Sequence, residues 1–559
     1  MRERSTSVEY LGAIVLSLLI AGAWLLPGYL FGTDWPGPRR FTVPADFSSG
    51  TLFDVLLVVV SAVVSAEVTT KLVILIALFV AGLGAFRALP IGGFVPRAIA
   101  GALYVVNPFV YGRIHYGQLA LIGGYALLPW IAAQLLQLMR EPDWRHALIL
   151  AAELTALGIL DLHLLVPAGA LLIAVVVAFG ISHRRNRNYL TGLGKNLALT
   201  LGTTAVASSY WLIPLLSGAN SEGQTVRSIG TADLAAYSAS ADPDFGLIPN
   251  LLGLYGFWAE DTERFTSMKA FVPLWPVILF ALLLLGALGV KAVIQRRPEV
   301  DFARGRPWTW ALLGAGAIAV ILEMGVANPV TEPLVRWLNT VFPPYRGMRD
   351  AGKWAALIAL VYAQLIPLGA IVVLGWLREH VRPPRIDVAE ALATGLLLAL
   401  PLYYGNGLLF GMHGEVQPSE YPLGWYQVDR LLDADPHPGR TLFLPWHLYL
   451  ALDFVRNTNN VVAWPAPSFF NVPVVVSQDP EIPNIAPPSD PDQRAIAQLV
   501  ANGGAGDWAG ELARHDIKYV VLSREVDWRH YRYLGSEADI TMVADYGSLI
   551  LYRNLRWRE

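Results

Sequence analysis

The sequence predicts a polytopic α-helical membrane protein that carries a small α/β soluble domain at its C-terminal end. Three observations lead there. Of the 559 residues 54% are hydrophobic and 15% charged, whereas soluble domains carry about 25% charged residues. The apolar residues cluster in runs, as in 55–64, 72–84 and 277–290, and a bilayer asks for roughly 20 apolar helical residues per crossing. Past Gly405 the runs stop, and proline, asparagine and aspartate punctuate short β-rich strings instead.

Taken in order, the runs predict about eleven transmembrane helices. They fall at 8–26, 69–87, 96–111, 117–139, 146–161, 163–182, 194–216, 271–294, 309–325, 352–377 and 386–404. The first is a retained helix and not a cleaved signal, because Pro27-Gly28-Tyr29 is a poor small-residue cleavage site and apolar segments continue after it.

Basic residues orient the chain. Arg184, Arg185, Arg187 and Lys195, then Arg296, Arg297, Arg304 and Arg306, then Arg378, Arg382 and Arg385 all fall on one side. Arg2, Arg4, Arg140 and Arg145 join them. Short loops rich in Lys and Arg stay cytoplasmic, so the chain reads as a multi-pass protein of the cell membrane with its N-terminus inside. To keep those loops together, 51–66 is laid along the outer interface and not across the bilayer. Residues 1–404 then form the membrane domain, with outer loops 27–68, 217–270 and 326–351, and 405–559 form an extracytoplasmic domain. Within it 440–445, 517–522, 540–544 and 549–552 read as strands and 492–502 as a helix, an alternation that suggests a small α/β fold.

A net charge of −3 offers no basic domain for nucleic acid. The absence of cysteine removes disulfides, thiolate metal sites and cysteine nucleophiles. Chemistry must then come from polar groups near the outer side. Asp34 reads on position alone as a turn aspartate, although a carboxylate near the membrane plane also suits a general base acting on a hydroxyl. Pro108 breaks its helix. Arg113, His115 and Gln118 follow, placed either to hold a phosphate or sugar hydroxyls or to snorkel to headgroups.

Asp161 and His163 lie between two apolar helices, with Glu153 deeper. Ionisable groups there face a cavity or a partner, and the bland alternative is a structural ion pair, with Arg113 as one candidate partner. Arg346, Arg349 and Lys353 place three cations on the outer side, against the positive-inside bias. Such a group suits a phosphate or anchors to lipid headgroups. Glu260, Asp261 and Glu263 read as a solvated acidic face, with a divalent metal as the alternative.

Four elements in this order carry a family resemblance. They are Asp34 in the first outer loop, the string Asn107-Pro108-Phe109-Val110-Tyr111-Gly112-Arg113 with Gly117-Gln118, the Arg-rich string ending in Lys353 before an apolar helix, and Ile517-Lys518-Tyr519-Val520-Val521-Leu522. Together they resemble the GT-C class of membrane glycosyltransferases. Within it, the chain is similar to the actinobacterial α-(1→3)-arabinofuranosyltransferases and to relatives that glycosylate lipoteichoic acid.

The resemblance implies transfer of a sugar from a polyprenyl-phosphate donor to a glycan or glycolipid acceptor on the outer face. It implies Asp34 as general base and Arg346, Arg349 and Lys353 as holders of the donor phosphate. Arg113, His115, Gln118, Asp161 and His163 would line the sugar and acceptor pocket. It fixes no cofactor, and a divalent metal stays open because Asp34 stands alone where some members carry paired acids. Two other readings compete. A transporter or flippase of lipid-linked saccharides would spread polar residues across the bilayer, whereas here they gather on one side with no internal repeat. A non-catalytic membrane scaffold is the third.

Overall fold

The computed structural model describes residues 2–262, 265–298, 300, 305–383, 385–482, 485 and 490–559. Glu263 and Arg304 lie outside the described residues, as do the side chains of Arg2, Arg4 and Asp261. Among the described residues nine helices are long and apolar enough to cross a membrane, from Ser7–Leu25 to Arg385–Tyr404. A tenth crossing results if the bent pair Arg187–Ala207 and Ser209–Ser217 is counted as one span.

Two departures from the expected eleven have physical reasons. The straight helix expected over 194–216 bends by 77° at Ser208, and Pro214, which has no amide to donate to the turn before it, follows within the second piece. The helix expected over 146–161 forms as Trp144–Leu160, but at 17 residues it reaches about 26 Å, short of a hydrocarbon core of about 30 Å. The segment 51–66 folds as the 14-residue helix Thr51–Val64, roughly 21 Å long and too short to cross. It turns through Ser65, at φ 82°, into Ala66–Leu83.

The helix Ala355–His380 is the spine of the bundle. It is buried over most of its length and packs against Trp275–Ile294, Phe94–Val105 and Arg306–Met324. Around it the helices run so that the loops 27–50, 217–270 and 326–351 meet at one end. There Ser49 Oγ donates to Glu222 (2.7 Å), Tyr111 donates to the Thr266 carbonyl (2.8 Å) and Arg349 approaches Asp233 (3.4 Å). The basic segments after Ser182, Ile294 and His380 sit at the other end.

The C-terminal region builds a five-stranded sheet from β1 (Arg440–Leu444), β4 (Val474–Val475), β5 (Ile517–Ser523), β6 (Ile540–Asp545) and β7 (Leu549–Asn554). The order is β4-β1-β5-β7-β6, with β1 parallel to both neighbours and β7 antiparallel to its own. Side chains alternate across a strand, and the sheet therefore has two cores. Phe443, Tyr519 and Val521 face the helix Leu423–Asp433, while Leu442, Leu444, Val520 and Leu522 face Pro491–Ala501 and Trp508–Arg514. A separate two-stranded hairpin, β2 (Tyr449–Ala451) with β3 (Val461–Ala463), leaves the sheet and turns toward the bundle.

The first loop joins the two parts. Phe31 is 1% exposed and belongs to the soluble domain's core beside Tyr421 and Phe454. Tyr421 donates to the carbonyls of Pro36 (2.8 Å) and Gly37 (3.0 Å), and Arg39 pairs with Asp429. Conversely, Leu408, Met412 and Val416 pack in the bundle core, and the soluble core begins at Tyr421.

Candidate active site

Asp34 is placed by two glycines. A Cβ on Gly32 would stand 2.6 Å from Gly117 Cα, and Gly117 itself sits at φ +84° against Trp35. Only glycine permits both the close approach and the left-handed turn. The turn lets Asp34 donate its amide to the Tyr116 carbonyl at 2.7 Å, which pins the first loop beside Gln118.

The carboxylate then meets two neutral donors. Gln118 Nε2 donates to Oδ2 at 3.3 Å and Tyr449 Oη donates to Oδ1 at 3.1 Å. Water reaches Asp34 in a recess that protein lines closely. Burial pushes its pKa up to about 6, against the opposing pull of Gln118, Tyr449, Arg113 and Arg349.

Behind Gln118 the chemistry changes to full charge. Arg113 Nη1 donates to Gln118 Oε1 at 2.9 Å, and the same guanidinium pairs with Asp350. That pairing fixes the Gln118 amide, since a guanidinium only donates and a carboxylate accepts. Arg113 and Asp350 are both buried, and Arg113 also stacks 4.6 Å over Phe257. Burial alone would raise Asp350; the Arg113 guanidinium and Lys353 outweigh it and hold the carboxyl below its usual range.

The remaining expected site residues fall in four places. Arg349 lies 4.5 Å over the Tyr237 ring, within electrostatic range of Asp34, with Asp233 behind it. Lys353 is buried, within range of both Asp161 and Asp350, and among the described residues it is bonded to neither. Asp161 accepts from the Leu164 amide at 3.0 Å and lies 3.4 Å from His163, so its near partner is His163 and not Arg113. His115 is 1% exposed and turned to Thr458 of the soluble domain and the Phe265 ring, away from open space.

His163 and Arg346 stand at the head of an apolar groove of about 540 Å³. Its walls come from Leu165–Ser182 (Val166, Ile173), Ser209–Ser217 (Leu212, Leu215) and Arg306–Met324 (Ile318, Leu322). Arg346 donates Nε to the Asn339 carbonyl at 3.1 Å. A groove of this shape offers a hydrocarbon chain an apolar wall and an anionic head a cationic end.

Within the acidic stretch expected to be a solvated face, Glu260 departs from that expectation. Glu260 is buried at the side chain, 3.4 Å from Lys269, and accepts from Ser267 (2.6 Å) and the Gly256 amide (3.2 Å). Among the described residues no group of three His, Asp or Glu could hold a metal ion.

Two residues escaped the sequence. Tyr449 lies 415 positions from Asp34, and nothing local marks it. Glu323 did carry a signal, as a lone acid in the apolar helix Arg306–Met324. It is 0% exposed, and neither carboxylate oxygen has a hydrogen-bond partner among the described residues.

A bundle with a short helix before its second crossing, a carboxylate in the first loop and a soluble domain docked over that loop has the architecture of the GT-C class of membrane proteins. Comparison with solved structures agrees. The cryo-EM structure of arabinofuranosyltransferase AftD from Mycobacteria matches with a TM-score of 0.60 at 16% identity, over 99% of this chain and 40% of that chain. A mutant of AftD matches with a TM-score of 0.60 at 17% identity, over 100% of this chain and 42% of that chain. Among curated proteins, the alpha-(1→3)-arabinofuranosyltransferase of Mycobacterium tuberculosis is 24% identical over 458 residues, 79% of this chain and 31% of the relative. The chain thus spans about a third of that relative's length. No family model matches.

Proposed function

We propose that the chain is a membrane glycosyltransferase that moves a sugar from a polyprenyl-phosphate donor to a hydroxyl of a glycan or glycolipid, on the extracytoplasmic face. One observation carries the reading: a carboxylate with its pKa pushed up to about 6 shares one end of the bundle with an apolar groove headed by Arg346. The arabinofuranosyltransferase names of the relatives support the reaction class, and pentofuranosyl donors are the first to test. The basic segments at the opposite bundle end support the orientation, since such loops stay cytoplasmic.

In this reading Asp34 accepts the proton of the acceptor hydroxyl as its oxygen attacks the anomeric carbon. The bond from that carbon to the phosphate oxygen breaks, and polyprenyl phosphate leaves with the electron pair. Arg346, Arg349 and Lys353 stabilise the charge that grows on the leaving phosphate, where such contacts are worth most. The prenyl chain lies in the apolar groove. Asp161, His163 and Gln118 border the sugar, while Arg113 and His115 act from behind through Gln118 and Thr458.

Purified protein with a farnesyl-phosphoryl arabinofuranose donor and an arabinofuranoside acceptor tests this. Asp34→Asn is expected to lower transfer by about 10²–10⁴-fold with elution and thermal unfolding unchanged. Wild-type turnover in that variant would sink the assignment of the base.

A further inference from the structure

The soluble domain does more than sit on the bundle. Its β2–β3 hairpin reaches the recess with three contacts that are unrelated in sequence. Ala463 donates its amide to the Thr33 carbonyl at 2.8 Å, Thr458 meets His115, and Tyr449 donates to Asp34 Oδ1 at 3.1 Å. The hairpin leaves the main sheet to make them. If it served only to close its own domain, Tyr449 would have no reason to present its hydroxyl to a carboxylate of the membrane domain.

We infer, resting on the reading of Asp34 as the base, that this hairpin is a working part of the membrane-domain site and that Tyr449 is the positioning residue that holds the Asp34 carboxylate. A hydroxyl donated to one oxygen stabilises the ionised carboxyl and leaves its remaining lone pairs to a substrate hydroxyl. It offsets part of what burial costs the charge. Gln118 holds the other oxygen in the same way, so one support comes from each domain. The charged and titratable groups that face Asp34 are Arg113 and Arg349, both cations, and the phenols of Tyr449 and Tyr237. Of these, Tyr449 is the one from the soluble domain, so lifting that domain away removes one of the two donors.

The test needs no turnover. A water-soluble carbodiimide with an amine labels protonated carboxyls, and mass spectrometry of the Asp34 peptide across pH reads the midpoint directly. In the full-length protein the wild-type midpoint is expected near 6. Tyr449→Phe is expected to raise it by about half a unit to one unit, because a donor to the charged form is lost. Thr458→Val, which cuts the hairpin's contact with His115 only, is expected to leave it in place. An unmoved midpoint in Tyr449→Phe overturns the inference, as does an equal shift in Thr458→Val, which would mean that docking alone matters.

Should Tyr449→Phe fail to fold, the cysteine-free chain offers a second measurement. The pair Thr33→Cys and Ala463→Cys should cross-link on oxidation while the Asp34 midpoint stays at the wild-type value. An absent cross-link overturns the docking. The two ideas also separate. Activity surviving in Asp34→Asn removes the base yet leaves the midpoint shift standing, whereas an inactive Asp34→Asn with an unmoved Tyr449→Phe midpoint removes the role of Tyr449 alone.

Discussion

Asp34 and Asp350 stand at the two ends of one relay, Asp34–Gln118–Arg113–Asp350, and their surroundings drive them apart. Asp34 is wetted, held by neutral donors and raised to about 6. Asp350 is buried, faces a guanidinium and is held below the usual carboxylate range. A carboxylate that loses its charge easily can trade a proton near neutrality, whereas one locked to a buried cation cannot. The difference separates a group suited to chemistry from a group that supports it: burial raises both carboxyls, and at Asp350 the Arg113 guanidinium and Lys353 outweigh it whereas the partners of Asp34 do not.

Substitution at each end should therefore fail in a different currency. The largest effect is expected from Asp350→Ala, which leaves Arg113 buried and unpaired. A loss of about 3–5 kcal/mol follows, read as a collapse of thermal stability in detergent, while Asp34→Asn leaves that stability intact and loses transfer. Next comes pH. The base works ionised, so the rate should fall about tenfold per unit as pH drops below about 6 and level off above it; a profile that stays flat from one unit below about 6 to one unit above it would remove Asp34 from the proton step. Smallest is Gln118→Leu, which cuts the relay without burying a charge. It should raise the Asp34 labelling midpoint by about half a unit and leave the Arg113–Asp350 pair in place, with little change in unfolding temperature.

Much of the fold is legible in the sequence because lipid selects by composition. Runs such as 277–290 announce their helix whatever it packs against, and Ile517-Lys518-Tyr519-Val520-Val521-Leu522 announces β5 by its β-rich content. The bend at Ser208 is less visible, since Ser-Ser and a later proline also occur in straight helices. β2, β3 and β4 have three, three and two residues, too few for any periodicity to register. In the site, Arg113 and Gln118 are legible as polar residues at a helix end, and Asp34 as a carboxylate in the first outer loop. Their connectivity is not, because Asp350 and Tyr449 arrive from distant segments. The acidic stretch misleads for a related reason: Glu260 looks exposed in a loop, and only tertiary packing brings Lys269 and Ser267 over it.

Phe31 belongs to the membrane domain by position and to the soluble domain by packing. During synthesis it emerges nearly four hundred residues before Tyr421 and Trp425, the aromatics it packs among. The C-terminal domain therefore cannot finish its core until a loop made nearly four hundred residues earlier is delivered to it, and long loop closures of this kind slow folding. Completion of the surroundings of Asp34 thereby waits for the soluble domain. A bundle that has inserted without its soluble domain has a first loop but no Tyr449, and a soluble fragment made alone has a vacancy where one phenylalanine belongs.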